Sequence, residues 1–111
     1  MKRGDIYFVD FDPSQGAEIR KKRPALIISC DEANAYLKTV MVIPFSSKIE
    51  RVYPFEVLVK KEESGLPTHS KLKVPQMRAV DKMRLTRYVG TVHEVTIAQV
   101  ERAIKLHLAL E

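Results

Sequence analysis

Short apolar segments separated by polar turns fill most of the chain, and a helical repeat of apolar positions occurs only near its C-terminus. Residues 6–11 and 39–45 are rich in β-branched and aromatic side chains, which are typical of strands. Residues 25–29 form a continuous apolar run, the pattern of a strand buried on both faces. Three further strands are predicted at residues 55–59, 70–76 and 88–92. In residues 70–76, Lys71 and Lys73 alternate with apolar positions, so this strand should have a basic outer face.

The segments between these strands carry turn signals. Residues 14–22 are polar, contain Gly16 and predict a long loop. Residues 31–36 predict a helical turn or a loop, residues 61–67 a turn, and residues 81–85 a single helical turn.

The C-terminal segment has the signature of an amphipathic helix. Thr96 and Gln99 have the spacing of a capping box, with Thr96 as the N-cap. Apolar residues then recur at helical spacing, which predicts a helix over residues 97–110 with one face against a sheet. Many short strands closed by one helix predict a mainly β fold (α+β): a small, strongly curved antiparallel barrel with a C-terminal α-helix. Its 111 residues fit a single domain, 1–111.

Charge and cysteine content narrow the functional classes only a little. The net charge of +5 favours a polyanionic partner, but 19 basic residues against 14 acidic ones are too modest an excess to decide it. Cys30 is the only cysteine, so no intrachain disulfide can form, and the reducing cytoplasm is the expected compartment. No apolar segment reaches the length of a membrane span or of a signal-peptide core, so no membrane association is expected.

The most informative segment is the basic run Arg20-Lys21-Lys22-Arg23, followed by Pro24 and an apolar strand. Pro24 biases Arg23 toward an extended conformation, so the strand can hold its guanidinium in a fixed direction. A fixed guanidinium with mobile basic neighbours suits the binding of a phosphate chain and the stabilisation of one phosphate.

The residues allow phosphate chemistry without a metal. The three histidines lie far apart in sequence without ligand-spaced partners, so neither a metal site nor a cofactor is predicted. RNA supplies its own nucleophile, because its 2′-hydroxyl can attack the adjacent phosphate. The protein then needs a cation, a proton acceptor and a hydrogen-bond donor, for which Arg23, Glu18 and Ser46 are the candidates.

Several motifs in order along the chain resemble one protein family. They are Arg3-Gly4-Asp5-Ile6-Tyr7, Val9-Asp10-Phe11-Asp12-Pro13, Gly16-Ala17-Glu18, Arg23-Pro24-Ala25-Leu26, Val42-Ile43-Pro44-Phe45-Ser46-Ser47, and Gln76-Met77-Arg78 through Arg84-Leu85. This order resembles that of the MazF/PemK/Kid-type toxins. The resemblance implies an SH3-like barrel and a homodimeric, metal-independent endoribonuclease (mRNA interferase) of a type II toxin–antitoxin system. It also implies single-stranded RNA as substrate, and a cognate antitoxin with an acidic disordered tail as partner.

By the same resemblance, catalysis is assigned to Arg23 and Ser46, with Glu18 as a lesser site. Arg23 matches the arginine of the family's Arg-Pro motif. Ser46 matches the Thr or Ser that follows the second apolar strand. RNA binding is predicted for the basic loop residues Arg20, Lys21 and Lys22, for the strand lysines Lys71 and Lys73, and for the motif residues Ser47, Gln76 and Arg78.

Two departures from the family pattern leave alternatives open. Ser46 replaces the commoner threonine, and Pro75 stands where some members have an acid, so the general base is not identified. A toxin that binds a protein target such as a DNA topoisomerase, and a non-catalytic RNA-binding barrel, are the alternatives. Tyr53 and Phe55 are candidates for base stacking, although the core is the usual place for such rings.

Overall fold

The computed structural model describes residues 1–13, 15–18 and 21–111. Within them the chain forms an antiparallel, barrel-like sheet of seven strands with three helices. The strands are β1 (Asp5–Asp10), β2 (Lys22–Ile27), β3 (Thr39–Ser46), β4 (Glu56–Val59), β5 (Ser70–Lys73), β6 (Arg78–Asp81) and β7 (Leu85–Thr91). The helices are α1 (Asp31–Tyr36), α2 (Lys61–Ser64) and α3 (Glu94–His107). The predicted fold class is confirmed.

β3 connects the two halves of the sheet. The strand order is β4-β5-β3-β2-β1-β7, and β6 pairs with β3 alone. The first residues of β3 pair with β6, its middle with β2, and Phe45 and Ser46 with β5. One long strand therefore changes partners along its length, which bends the sheet and brings the ends of β2, β3 and β5 together.

The core divides between the two faces of the sheet because side chains alternate along each strand. The larger cluster includes Ile6, Leu26, Ile43, Phe45 and Leu72, together with Val100 and Ala103 of α3. The smaller cluster is Val9, Phe11, Ala25, Ile27, Val40, Val42 and Val80. The predicted burial of the apolar run after Pro24 is confirmed, since its residues 25–28 are all buried and contribute to both clusters.

The helix α3 begins three residues before the predicted start. His93 precedes it as the N-cap and makes no side-chain capping bond. Glu63, at the end of α2, takes that part: its Oε2 accepts the His93 N–H at 2.8 Å and the Thr96 hydroxyl at 2.6 Å. The predicted capping box on Thr96 is therefore wrong, because α3 begins before Thr96 and the Thr96 hydroxyl donates to Glu63 instead of accepting a backbone N–H.

Smaller differences from the sequence prediction have local causes. The predicted turn at residues 61–67 contains the one-turn helix α2, which ends at Gly65 with φ of +79°. β5 ends at Lys73, and a 3-10 turn containing Pro75 follows it. The strand β6 was not predicted, because Val80 is its only buried residue and a four-residue edge strand has little apolar pattern.

Candidate functional site

Arg23 lies near the start of β2, and Ser46 is the last residue of the neighbouring strand β3. β2 and β3 pair with Ala25 opposite Pro44. Continuing this register two residues toward the strand ends sets Arg23 opposite Ser46, and directly opposed side chains have Cβ atoms about 4.5–5.5 Å apart. Both side chains are partly buried and belong to the face that carries the smaller core cluster. Continuing the described register therefore sets the two principal residues predicted from sequence opposite each other.

The Ser46 hydroxyl is oriented by the chain that follows it. Its Oγ accepts the backbone N–H of Lys48 at 3.2 Å. A hydroxyl has one donor hydrogen and two acceptor lone pairs, so this bond leaves the O–H able to donate elsewhere. Ser46 is therefore compatible with a donor role toward a phosphate oxygen.

Lys71 pairs in register with Ser46 on its other side, and its side chain is buried. Its Nζ lies 2.9 Å from a carboxylate oxygen of Glu56 and donates to the Arg51 carbonyl at 2.7 Å. The ring of Tyr53 lies over the same ammonium group, 5.7 Å from Nζ to the ring centroid. The predicted exposed basic face is thus wrong at Lys71, because the segment between β3 and β4 covers it. Lys73 remains one-third exposed, with Nζ 3.9 Å from Glu56.

Glu56 holds that covering segment to the sheet. Its carboxylate accepts the Tyr53 N–H at 3.0 Å, and its own N–H donates to the Tyr53 carbonyl at 2.9 Å. Burial alone would raise the pKa of Glu56, but hydrogen bonds from Lys71 and Tyr53 and the nearby lysine charges outweigh it and hold the pKa below its ordinary value. Sequence reasoning missed Glu56, although its alternation with Val57 was a signal for a charge on the outer face of β4.

The rings of Tyr53 and Phe55 are exposed rather than part of the core. Tyr53 is 51% exposed and Phe55 is 38% exposed. The Phe55 ring makes an edge contact with His107 of α3, at 5.5 Å between centroids. The expectation that these rings belong to the core is wrong, because their segment lies on the outside of the buried ion pair.

The loop between β1 and β2 carries the other predicted groups. Glu18 is exposed, and its Oε1 accepts the Gln15 N–H at 2.6 Å. The Gln76 side-chain amide donates to the Ala17 carbonyl at 3.5 Å, which links the loop to the 3-10 turn after β5. Arg20 lies outside the described residues, so its predicted role has no structural counterpart here.

Hydrogen bonds hold the backbone where this loop leaves β1 and enters β2. The Lys21 N–H donates to Asp12 Oδ1 at 3.0 Å, and the Lys21 carbonyl accepts the Phe11 N–H at 3.0 Å. Arg84 donates to the carbonyls of Asp10 and Asp12. With the backbone held, the side chains of Lys21 and Lys22 both extend into solvent.

Arg78 lies beneath the same loop rather than on the open surface. Its guanidinium carbon is 5.7 Å from the centroid of the Phe11 ring. Its Nη1 is buried and has no hydrogen-bond partner among the described residues. An unsatisfied buried donor is costly, which is a feature of functional sites more than of stable cores.

A small pocket opens at the ends of β2 and β3. Its volume is about 210 Å³. It is lined by Phe8, Arg23, Pro24, Phe45, Ser47, Leu66, Pro67, Thr68 and Ser70. Of the predicted residues, it contains Arg23 and Ser47, and Ser46 faces the other side of the strand. Sequence reasoning missed Phe8, Thr68 and Ser70, which carry no motif signal.

Among the described residues, three larger cavities lie elsewhere. Two of them, of about 420 and 390 Å³, lie between β4, α2 and α3, and one of about 320 Å³ lies beside α1. None of the predicted catalytic residues lines them. Across the described ranges, no group of three or more metal-ligating side chains occurs, and no helix is long and apolar enough to cross a membrane.

Comparison with known proteins identifies the family of this chain. Residues 2–108 match the family model of the PemK-like, MazF-like toxins of type II toxin–antitoxin systems. The endoribonuclease MazF9 of Mycobacterium tuberculosis is 40% identical, over 99% of this chain and 98% of the relative. The crystal structure of MazF from Deinococcus radiodurans superposes with a TM-score of 0.86 at 22% identity, over 99% of this chain and 97% of that one.

A mycobacterial endoribonuclease in complex with its cognate antitoxin has a TM-score of 0.83 at 21% identity, over 100% of this chain and 97% of that one. These structural matches establish the fold, and the match of the family model together with the MazF9 identity establishes descent. The chain belongs to the PemK-like, MazF-like toxins of type II toxin–antitoxin systems.

Proposed function

We propose that this chain is an endoribonuclease toxin that cuts single-stranded RNA, with Arg23 and Ser46 at the reacting phosphate. The observation that supports this most directly is the β2–β3 register, because its continuation beyond the Ala25–Pro44 pair would set the Arg23 guanidinium opposite the Ser46 hydroxyl. The kinship with MazF9 supports the same reaction class. The compartment expected for a messenger RNA substrate is the cytoplasm.

The reaction starts when the 2′-oxygen of one ribose attacks the adjacent phosphorus. The 2′-hydroxyl loses its proton as a 2′-O–P bond forms, the bond from phosphorus to the 5′-oxygen breaks, and the departing 5′-oxygen takes up a proton from water. The products are a 2′,3′-cyclic phosphate and a 5′-hydroxyl. Arg23 stabilises the additional negative charge on the phosphorane through a fixed pair of N–H donors. Ser46 donates its O–H to a non-bridging oxygen, since its lone pair already binds the Lys48 N–H.

Proton transfer has one candidate acceptor on the protein. Glu18 is exposed on the loop that the Gln76 amide links to the sheet, so it can approach RNA lying beneath that loop. Pro75 occupies the 3-10 turn and cannot exchange a proton. We assign the acceptor role to Glu18 or to a water held by it.

Phosphates away from the cut meet the exposed lysines. Lys21 and Lys22 extend from the loop between β1 and β2. Ser47 directly follows β3, and Lys73 is the last residue of β5, two residues beyond Lys71. Lys71 is left out of the RNA-binding set, because its ammonium group is fully engaged by Glu56 and Arg51.

The proposed assembly is a homodimer inhibited by an antitoxin with an acidic tail. Leu106, Leu108 and Leu110 at the C-terminal end of α3 are about half exposed, which leaves apolar surface for a second copy. A mycobacterial neighbour in structure is solved with its antitoxin, and an acidic tail would complement the basic loop. Sedimentation at micromolar concentration should show a dimer, and a monomer would contradict this assembly.

Incubation of the purified protein with a long RNA in EDTA tests the function. We expect discrete cuts whose 3′ fragments begin with a 5′-hydroxyl. A single 2′-deoxy nucleotide 5′ of the scissile phosphate should abolish the cut at that site. Binding without any cleavage would favour a non-catalytic RNA-binding barrel, and cleavage of the 2′-deoxy substrate would exclude attack by the 2′-oxygen.

A further inference from the structure

The pocket at the ends of β2 and β3 lies directly beside the proposed reaction site. Side chains alternate along a strand, so Pro24, Phe45 and Ser47 face one side while Arg23 and Ser46 face the other. The pocket is lined by the first three and also touches Arg23. An RNA strand crossing these strand ends with its phosphate at Arg23 therefore has an adjacent nucleotide at the pocket mouth.

The lining of this pocket suits a flat, neutral ligand with a polar edge. Phe8, Leu66 and Pro67 contribute apolar surface, and Arg23 is the only charged residue in the described lining. Ser47, Thr68 and Ser70 contribute hydroxyl groups. Its volume of about 210 Å³ is below the roughly 300–1,000 Å³ typical of drug-sized ligands, and it fits one planar ring system.

Phe8 is held in place by its neighbours on both sides. It pairs with Pro24 on β2 and with Arg87 on β7. The Arg87 guanidinium carbon lies 4.7 Å from the centroid of the Phe8 ring, a cation–π contact. A ring fixed in this way loses little conformational entropy when a nucleobase stacks on it.

Thr68 is placed to read the edge of such a base. Its side chain is exposed, and its backbone carbonyl accepts the Ser70 hydroxyl at 3.3 Å. This bond fixes the segment that enters β5 and leaves Ser47 and Thr68 to meet the ligand. Hydroxyl groups both donate and accept, so they can pair with the polar edge of any base.

We propose that this pocket binds the base of a nucleotide flanking the scissile phosphate, with Phe8 as its stacking residue and Thr68 as a specificity-determining residue. This inference rests on the proposed endoribonuclease function. It assigns part of the choice of cleavage sequence to a pocket on the opposite side of the strand ends from Arg23 and Ser46.

Thr68→Val tests the edge contact, because it removes the hydroxyl and keeps the shape. Cleavage of a randomised RNA pool, read by sequencing of the cut ends, should show relaxed base preference at one position beside the cut. The expected change in relative kcat/KM is about 3–10-fold, the size of one lost hydrogen bond. Thr39→Val, an exposed strand threonine outside the pocket, is the matched control and should leave the preference as it is.

Phe8→Leu tests stacking, in combination with substrates that carry an abasic nucleotide on the 5′ or the 3′ side of the cut. In the parent protein, one of the two substrates should raise KM by about 10-fold, the loss of one base–aromatic stack. In Phe8→Leu the same substitution should cost far less, because the stack is already absent. Tyr36→Leu, which removes an exposed ring from α1, should retain the full abasic penalty.

The outcomes separate the two hypotheses. A parent protein that cuts no RNA would overturn the proposed function and this inference with it. A second outcome would overturn the pocket assignment alone. In it the parent cuts RNA, the effects of the abasic nucleotide and of Phe8→Leu on KM are additive, and Thr68→Val has the base preference of the parent. If Phe8→Leu does not fold, the Thr68→Val result decides, because Thr68 lies at the surface.

Discussion

The face of the sheet beneath α3 and the face beneath the β1–β2 loop are covered in different ways. On the first, an amphipathic helix seals the larger apolar cluster, and the charges at its margin are paired at the surface. Arg3 donates to Glu101 of α3 at 2.8 Å and to the Ile28 carbonyl at 2.9 Å. This face has the arrangement that stability alone would favour.

On the second face, loops rather than a helix cover the sheet, and charges lie beneath them. Lys71 and Glu56 form a buried pair, and Arg78 has a buried Nη1 without a partner among the described residues. Arg23 and Ser46 stand in the same layer. Buried charges add little stability and are costly when a partner is lost. The two faces therefore differ in their charges, which are paired at the surface on the first face and buried on the second.

Cavity volume alone would place the functional site at the first face, beside α3, and it is a poor guide to the site in this protein. Two larger cavities border α3, and charged residues of both signs, such as Glu62 and Arg102, are part of their lining. The pocket that touches Arg23 has about half their volume. The side chains at a site decide its chemistry, and volume decides only what fits.

Removing Lys71 should have the largest effect of the changes that test this comparison. Lys71→Met leaves the Glu56 carboxylate buried without its partner, a loss of about 3–5 kcal/mol in the free energy of unfolding. Denaturant unfolding measures it. Lys73→Met is the matched control, since its longer and more exposed contact should cost about 1 kcal/mol or less. Equal losses in both variants would mean that the buried pair is no different from a surface pair.

Arg23→Ala should lower the single-turnover cleavage rate by about 10²–10³-fold, because one transition-state charge partner is lost. Arg23→Lys should restore little, since an ammonium group lacks the bidentate fork. Circular dichroism should be unchanged in both. Arg102→Ala, at the cavity beside α3, provides the control on the other face and should cut at the parent rate. A fully active Arg23→Ala variant would contradict the assignment of Arg23 to the reaction site.

Lowering the pH should reduce the free energy of unfolding by protonating Glu56 on the second face. Its folded-state pKa lies below its ordinary value of 4.5, so the pair adds stability above that value. This contribution is lost as the pH falls through the folded-state pKa, and the free energy of unfolding should decrease accordingly. Glu56→Gln should flatten this part of the pH–stability curve. A variant whose curve stays parallel to that of the parent below pH 4.5 would contradict the role of the pair.

Neutralising the loop lysines should have the smallest effect. Lys21→Ala combined with Lys22→Ala should make the log–log salt dependence of RNA affinity shallower by about 1 to 1.5, at about 0.7 per phosphate contact. The adjacent pair Lys60 and Lys61, which is exposed near α2, serves as the control. An identical slope in both double variants would mean that Lys21 and Lys22 do not contact RNA phosphates.

The sequence by itself predicted six of the seven described strands, the C-terminal helix and the candidate pair Arg23 and Ser46. Each depends on short-range information: apolar alternation, the helical repeat, and an Arg-Pro step at the head of a strand. Such local preferences act on residues close in the chain, and they agree with the final fold. The arginine and the serine were each identified by the element that they begin or end.

Only the tertiary structure decided which charges are buried and what covers them. Nothing local to Lys71 indicates that the segment carrying Arg51 and Tyr53 folds over it. In the same way, Glu63 moves the start of α3 away from Thr96, and the pocket gathers Phe8 with Thr68 from distant strands. The cost of burying a charge and the gain from pairing it depend on groups far apart in sequence. The balance between these two energies is therefore set only when the tertiary structure forms.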